Sequence, residues 1–308
     1  MGARQHADYL VQVWAEYIVL GIVSELSYVP ASLRRLNVIP KGVYDPDGPS
    51  KKNRLRILLD EEDLNLDLQV TRYRAETLNR ARWVIEEGDV MLMFDFSAYF
   101  LHFLAAKNER QLLGSTLGPD GPFRGRWWAW NVAPMGVASS CYQTQSYSWV
   151  LMQKYRRLGL RGLSYSDDTN LFCKPQQAGP IAKYIKEDFR RHGLLRSPKT
   201  PEGGQESGVV LGTGVDLRAR PVLFFIPEEK KIDMIKNAKS IISKSLGPGR
   251  RKIRAHRLAS ITGKIMATCI VTGNTARLMT RSCYAQIARE TGVPVDTPKR
   301  ELKIAWDV

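Results

Sequence analysis

Residues 162–174, GLSYSDDTNLFCK, set two adjacent aspartates, Asp167 and Asp168, with apolar or aromatic residues within a few positions on either side. Like charges this close repel, and a carboxylate inside an apolar stretch is costly to bury unless something compensates it. The run reads as two buried strands meeting in a tight hairpin, with the acidic pair at its middle. A second run, DVMLMFDFS at 89–97, is apolar between two aspartates and reads as a buried strand with Asp95 near its end. Adjacent aspartates are also common in surface turns, so the hairpin alone leaves a plain turn open. Three converging carboxylates would instead be compensated by divalent cations. Oxygen ligands suit Mg²⁺ or Mn²⁺ rather than Zn²⁺. Two such ions, about 3.5–4 Å apart, support in-line phosphoryl transfer, one activating the attacking hydroxyl and the other holding the leaving diphosphate.

The charge balance points the same way. The 308 residues carry 46 Lys and Arg against 31 Asp and Glu, a net +15. Such a surplus predicts a polyanionic partner. It is concentrated late in the chain: residues 226–308 hold 17 basic and 7 acidic side chains, a net +10. A solvated face would mix the two signs, so this segment reads as a phosphate-backbone contact surface. The four cysteines (Cys141, Cys173, Cys269 and Cys283) form no CxxC and show no zinc-like spacing with histidine. Free thiols fit a reducing compartment, cytoplasmic or nuclear. The apolar stretch from Tyr9 to Val23 contains Glu16 and is followed by Glu25. It is too short and interrupted to span a bilayer, and it lacks the shape of a signal peptide.

Along the chain, residues 6–27 show helical spacing. LNVIPKG (36–42) and RLRILLD (54–60) flank a loop dense in turn formers and read as a β-hairpin with a long basic loop. GPIAKYIKEDFRRHGL (179–194) reads as a helix stopped by Gly193, and GVVLGTGVDL with PVLFFIP as a further hairpin. After Pro227 three helical segments are expected, over 228–292.

Taken in order, these segments resemble a reverse transcriptase. YSDD resembles the YxDD box of that family, and FDFSAYF its motif A, with Asp95 as the metal ligand. PMG at 134–136 with Gln145 resembles motif B, SPKT with Lys199 motif D, and LGTGVDL with Gly212 motif E. VIPKG and NRLRILLDEEDLN resemble the fingers motifs, which supply Lys41, Arg56 and Asn65. The likeness runs from about residue 10 to about residue 292. Motif B departs from the commonest pattern, with Met135 where many retroviral enzymes have Gln and without the later Pro. Motif A and the helical region look closest to retroelement enzymes of the long-terminal-repeat (retroviral) or DIRS-like kind.

The resemblance implies an α+β fold of right-hand polymerase architecture. Its parts would be fingers at 1–88 and 104–133, a palm with an antiparallel sheet at 89–103 and 134–226, and a helical thumb with the start of a linker at 227–308. It implies RNA-directed DNA synthesis with two Mg²⁺ or Mn²⁺ ions. Asp95 and Asp167 would be the main ligands, Asp168 the third carboxylate, and the Phe96 backbone carbonyl would complete one metal shell. Lys41 and Arg56 would clamp the triphosphate, and Lys199 would protonate the leaving diphosphate. Met135, Gly136 and Gln145 would line the nucleotide site. Phe100 stands where viral RNA-copying polymerases carry a second Asp, so it would be the steric gate that rejects the 2′-hydroxyl. Tyr99 takes that place if the register shifts by one, and one of the two rings is expected to be core. Tyr165, Gly212, Arg251, Arg254, Arg257, Gly263 and Lys264 would meet primer and template, with Ala259, Gly263 and Ala267 on one helix face against a minor groove. The implied partners are an RNA template, a DNA or RNA primer, dNTPs and the RNA–DNA hybrid, and no membrane. An RNA-directed RNA polymerase of the same palm type, or a domesticated non-catalytic nucleic-acid-binding relative, would share most of these motifs.

Overall fold

The computed structural model describes residues 7–40, 55–69, 75–117, 122–198, 200–246 and 254–291. They form a mixed α and β fold that divides into two compact units. One comprises Met1–Glu76, Met93–Leu171 and Gly179–Gly203; the other comprises Thr77–Leu92, Phe172–Ala178 and Gly204–Val308.

Helix α1 (Ala7–Val19) buries Leu10 and Trp14. The helical spacing runs to residue 27, but the helix ends at Val19. Gly21 adopts φ 67°, and the amides of Gly21 and Ile22 donate back to the carbonyls of Ile18 and Tyr17. This pair of bonds around a left-handed glycine closes a helix. The next residues form strand β1 (Val23–Leu26) instead.

Strands β2 (Leu33–Pro40) and β3 (Leu55–Leu59) pair antiparallel, as the hairpin reading expects. Leu36 lies opposite Leu59 and Val38 opposite Ile57, and all four are buried. The two-residue period places them on one face. Helices α2 (Glu62–Asp67) and α3 (Leu78–Val84) follow, then strand β4 (Val90–Asp95), a 3-10 turn at Tyr99–His102, and strands β5 (Gly114–Thr116) and β6 (Trp127–Trp130). One sheet has the order β1-β6-β5-β2-β3. Its core is built around Trp14, which meets Trp128 and Trp130 edge-on at 6.1 and 5.6 Å. Such aromatic pairs add to the stabilisation from buried area alone.

Helix α4 (Ala138–Arg157), strands β7 (Arg161–Tyr165) and β8 (Asp168–Cys173) and helix α5 (Pro175–Arg191) complete the surroundings of the acidic hairpin. The sheet order is β4-β8-β7. As its apolar run predicts, β4 buries Val90, Met91, Leu92 and Phe94. Phe94 and Phe96 both meet Phe189 of α5 edge-on, at 5.3 and 4.7 Å. Buried Asp188 of α5 accepts from the Tyr155 hydroxyl of α4 at 2.9 Å and is ion-paired with Lys154. Along β7, Glu76 takes the place of a neighbouring strand. Its carboxylate accepts the Ser164 amide at 2.8 Å and the Arg156 guanidinium at 2.6 Å. Helix α5 starts four residues before the expected 179, with Pro175 at its first position, where a missing N–H costs nothing. It stops as expected at Gly193, φ 70°.

The other unit carries an antiparallel meander of β9 (Ser207–Val210), β10 (Thr213–Asp216) and β11 (Leu223–Phe225), one strand more than a hairpin. The first turn, Leu211–Gly212, has φ 47° and 76°, the signature of the tightest hairpins. Beyond it lie α6 (Glu228–Leu246), α7 (Ala255–Met266), α8 (Cys269–Thr272) and α9 (Thr275–Thr291). The middle of the three expected helices is split. At the break the Thr268 hydroxyl donates to the Ile265 carbonyl at 2.7 Å, a local side-chain bond that competes with the helix ladder.

Candidate functional site

Asp95 ends β4, and both of its backbone groups are held by Ser197 and Thr200. The Ser197 amide donates to the Asp95 carbonyl at 2.7 Å, and the Asp95 amide donates to the Thr200 hydroxyl at 3.1 Å. Ser197 and Thr200 are both buried, and Phe96 pairs with Arg196 as an isolated antiparallel bridge. Arg196 and Ser197 therefore run antiparallel beside Asp95 and Phe96 as a single bridge. Lys199, the candidate acid within the SPKT segment, lies outside the described residues.

On its other edge, the Phe96 amide donates to the Asp167 carbonyl at 3.3 Å. The N–H and C=O of one strand residue point the same way, so the Phe96 carbonyl faces the acidic turn too. Asp95, Asp167 and Asp168 thus come to one end of one sheet, each half-buried. Among the described residues no three His, Cys, Asp or Glu side chains lie together as a finished metal cluster. Carboxylates brought close repel one another, so the backbone convergence, rather than closed side-chain contact, is what the fold supplies. A set of carboxylate and carbonyl oxygens suits a hard divalent cation.

The turn itself is strained. Ser166 has φ 51°, a place that two-residue hairpins usually give to glycine. Both of its backbone groups are held by α4: its amide donates to Gln145 Oε1 at 2.7 Å, and its carbonyl accepts from Ser148 Oγ at 2.8 Å. Gln145, expected at the nucleotide site, is 2% exposed and has its carbonyl engaged with the turn. Ser148 belongs to no motif; its position three after Gln145 on a helix is the sequence feature that marks it.

Of the two rings considered as gate, Tyr99 is the core one. It is 3% exposed, stacks on Phe96 at 5.3 Å, and bonds Ser148 Oγ through its hydroxyl at 2.5 Å. Burial first, and then neighbouring charge including Asp167, raises its hydroxyl pKa above the usual phenol range, although the Ser148 bond opposes this. Phe100 stays half-buried in the same 3-10 turn. Tyr165 is exposed at the end of β7.

The loop carrying Met135 and Gly136 docks on β3. The Leu59 amide donates to the Met135 carbonyl at 2.8 Å. Asn65 bridges the loop, donating to the Gly136 carbonyl at 2.8 Å and accepting the Ala138 amide at 2.7 Å. Gly136 has φ 111°, and a Cβ there would stand 2.0 Å from the Leu59 carbonyl oxygen. Arg56 is exposed on β3, while Lys41 lies outside the described residues.

In the other unit, the Gly212 carbonyl accepts from Lys230 Nζ at 2.7 Å. Arg254, Arg257 and Gly263 are exposed on or beside α7, and a Cβ on Gly263 would meet nothing within 4 Å among the described residues. Lys264 is already paired with Asp233 at 2.6 Å, and Arg251 lies outside the described residues. Among the described residues no helix is long and apolar enough to cross a membrane.

No family model and no curated protein matches the sequence. Solved structures do match. A foamy viral protease–reverse transcriptase in complex with double-stranded DNA is similar over 97% of this chain and 56% of its own, with a TM-score of 0.64 and 14% identity. A foamy viral protease–reverse transcriptase in complex with an RNA/DNA hybrid is similar over 98% of this chain and 36% of its own, with a TM-score of 0.65 and 14% identity. A further form, also with double-stranded DNA, gives a TM-score of 0.63 at 14% identity, over 97% of this chain and 47% of its own. The chain spans between 36% and 56% of the length of these proteins, and what it shares with them is a reverse-transcriptase-like fold.

Proposed function

We propose that this chain is the polymerase portion of a retroelement reverse transcriptase, of long-terminal-repeat or DIRS-like type. In this reading it copies RNA, and DNA, into DNA by transferring a nucleotidyl group from a dNTP to a primer 3′-hydroxyl. The observation that carries the reading is the Phe96–Asp167 backbone bond, which brings Asp95 and the Asp167–Asp168 turn to one sheet end. A non-catalytic binding protein gains nothing from gathering repelling carboxylates. The likeness to proteins solved with DNA and with RNA/DNA hybrid supports the same reading.

In this reading 1–88 and 104–133 are fingers, 89–103 and 134–226 the palm, and 227–308 the thumb. Asp95 and Asp167 hold two Mg²⁺ ions, with Asp168 and the Phe96 carbonyl completing the set. When bound, the ions acidify the primer hydroxyl and neutralise the leaving diphosphate. Arg56, with Lys41, binds the triphosphate. Lys199 delivers a proton to the diphosphate. The half-buried Phe100 ring lies under the sugar and leaves a 2′-hydroxyl without room or partner. Asn65 keeps the 134–138 loop against β3, so that Met135 and Gly136 present a fixed surface to the incoming nucleotide. The exposed Arg254 and Arg257 meet phosphates beside the open face at Gly263. An intracellular, reducing site of action fits the free thiols.

Primer extension on a defined RNA template, with either dNTPs or rNTPs, tests the reading. Wild-type chain should extend with dNTPs and Mg²⁺. Asp95→Asn and Asp167→Asn should each lower extension by more than about a thousandfold without weakening primer–template binding. Incorporation of rNTPs alone, or full activity in Asp167→Asn, would sink it.

A further inference from the structure

We propose that Ser148 and Tyr99 are positioning residues. With Gln145 they hold Ser166 in its left-handed conformation and so fix where Asp167 stands. The inference rests on the polymerase reading, because it concerns the placement of a proposed metal ligand.

A non-glycine residue in this region is strained, so the turn needs external support. It has that support at both ends of one residue. Gln145 Oε1 takes the Ser166 amide at 2.7 Å, and Ser148 Oγ gives a proton to the Ser166 carbonyl at 2.8 Å. The amide orientation of Gln145 follows from the first bond: reversed, its NH₂ would face an N–H. Gln145 Nε2 is accordingly left without a partner among the described residues.

The direction of the hydroxyl chain follows from proton counting. Ser148 has one proton. If it goes to the Ser166 carbonyl, Ser148 Oγ must accept in its 2.5 Å contact with Tyr99, and Tyr99 is the donor. The competing Thr144 carbonyl is farther, at 3.1 Å from the Tyr99 hydroxyl and 3.3 Å from Ser148 Oγ. Tyr99 follows Ala98, itself at φ 50°. The relay Tyr99 to Ser148 to Ser166 therefore links two strained residues, one three positions after Asp95 and the other immediately before Asp167.

The test compares Ser148→Ala, Ser148→Thr, Tyr99→Phe and the double variant Ser148→Ala/Ser166→Gly in the whole chain. Mn²⁺ affinity is read by electron paramagnetic resonance on a complex with a 3′-deoxy-terminated primer–template. Half-saturating Mg²⁺ for extension and the thermal midpoint are measured alongside. Ser148→Ala should weaken Mn²⁺ binding and raise half-saturating Mg²⁺ by about tenfold, with primer–template affinity unchanged. Tyr99→Phe should act in the same direction but less, and Ser148→Thr should stay near wild type. Glycine adopts positive φ freely, so adding Ser166→Gly should restore most of the loss. Wild-type Mn²⁺ affinity in Ser148→Ala overturns the proposal. So does a lower thermal midpoint with no recovery in the double variant, since that marks a purely structural role. If Asp167→Asn leaves extension and Mn²⁺ binding intact, the polymerase reading fails instead, whatever Ser148 does.

Discussion

Tyr99 and Phe100 are adjacent aromatic residues with opposite fates. Tyr99 is committed to the core through Phe96, Ser148 and Thr144, while Phe100 keeps part of its ring exposed. Phe100→Ala should therefore let rNTPs be incorporated, raising their use relative to dNTPs by about tenfold or more on the same template. Tyr99→Phe should leave that ratio unchanged. Gly136 offers a second test at this scale. Alanine there would meet the Leu59 carbonyl at 2.0 Å with φ at 111°. Gly136→Ala should lower stability by roughly 1–3 kcal/mol in urea unfolding. The sequence places the two rings side by side but does not say which turns inward. Ala98, just before them, adopts a left-handed conformation that no local signal announces.

Elements were more legible than their joints. The apolar run of β4 and the short apolar runs of β2 and β3 on either side of a turn-dense loop gave strands where expected, because burial on one or both faces leaves a direct trace in side-chain type. The end of α1, the break between α7 and α8 and the early start of α5 escaped, because each turns on one or two residues. The backbone supports of the site escaped for another reason: Ser197, Thr200 and Ser148 are small polar residues whose value lies in contacts far along the chain. Glu61 is a similar case, next to α2. It is 1% exposed and lies 3.4 Å from Arg34 of β2. Burial pushes its carboxyl up to about 7, with Arg34 pulling the other way. A carboxyl that binds its proton more tightly when folded contributes stability fully below its unfolded value, near 4.5. That contribution is lost as pH rises through about 7. Stability should thus fall by on the order of 1–3 kcal/mol across that window. Glu61→Gln should flatten the dependence, with Arg34 keeping its bond to Asp63 at 3.0 Å; an unchanged slope in denaturant melts across pH would refute the assignment.

For the whole molecule, the net charge of +15 sets the solution behaviour. Primer–template affinity should fall by roughly a hundredfold or more between about 50 and 200 mM salt. Arg254→Ala and Arg257→Ala should each reduce the salt slope by about one. Lys264→Ala should change it less, because Asp233 already neutralises that ammonium. Fluorescence anisotropy over a salt series distinguishes these, and a flat curve would remove the basic segment as the contact surface.

The carboxylate of Glu76 lying along β7 has a consequence for how the molecule keeps company with itself. It accepts the Ser164 amide on the outer strand of a sheet whose other residues there, Gly162 and Leu163, are buried. A passing strand from another copy would have to displace a charged, ion-paired group to bind there. Glu76→Ala should open that edge, and the first sign would be concentration-dependent aggregation in light scattering, before any change in the spectrum of the folded chain.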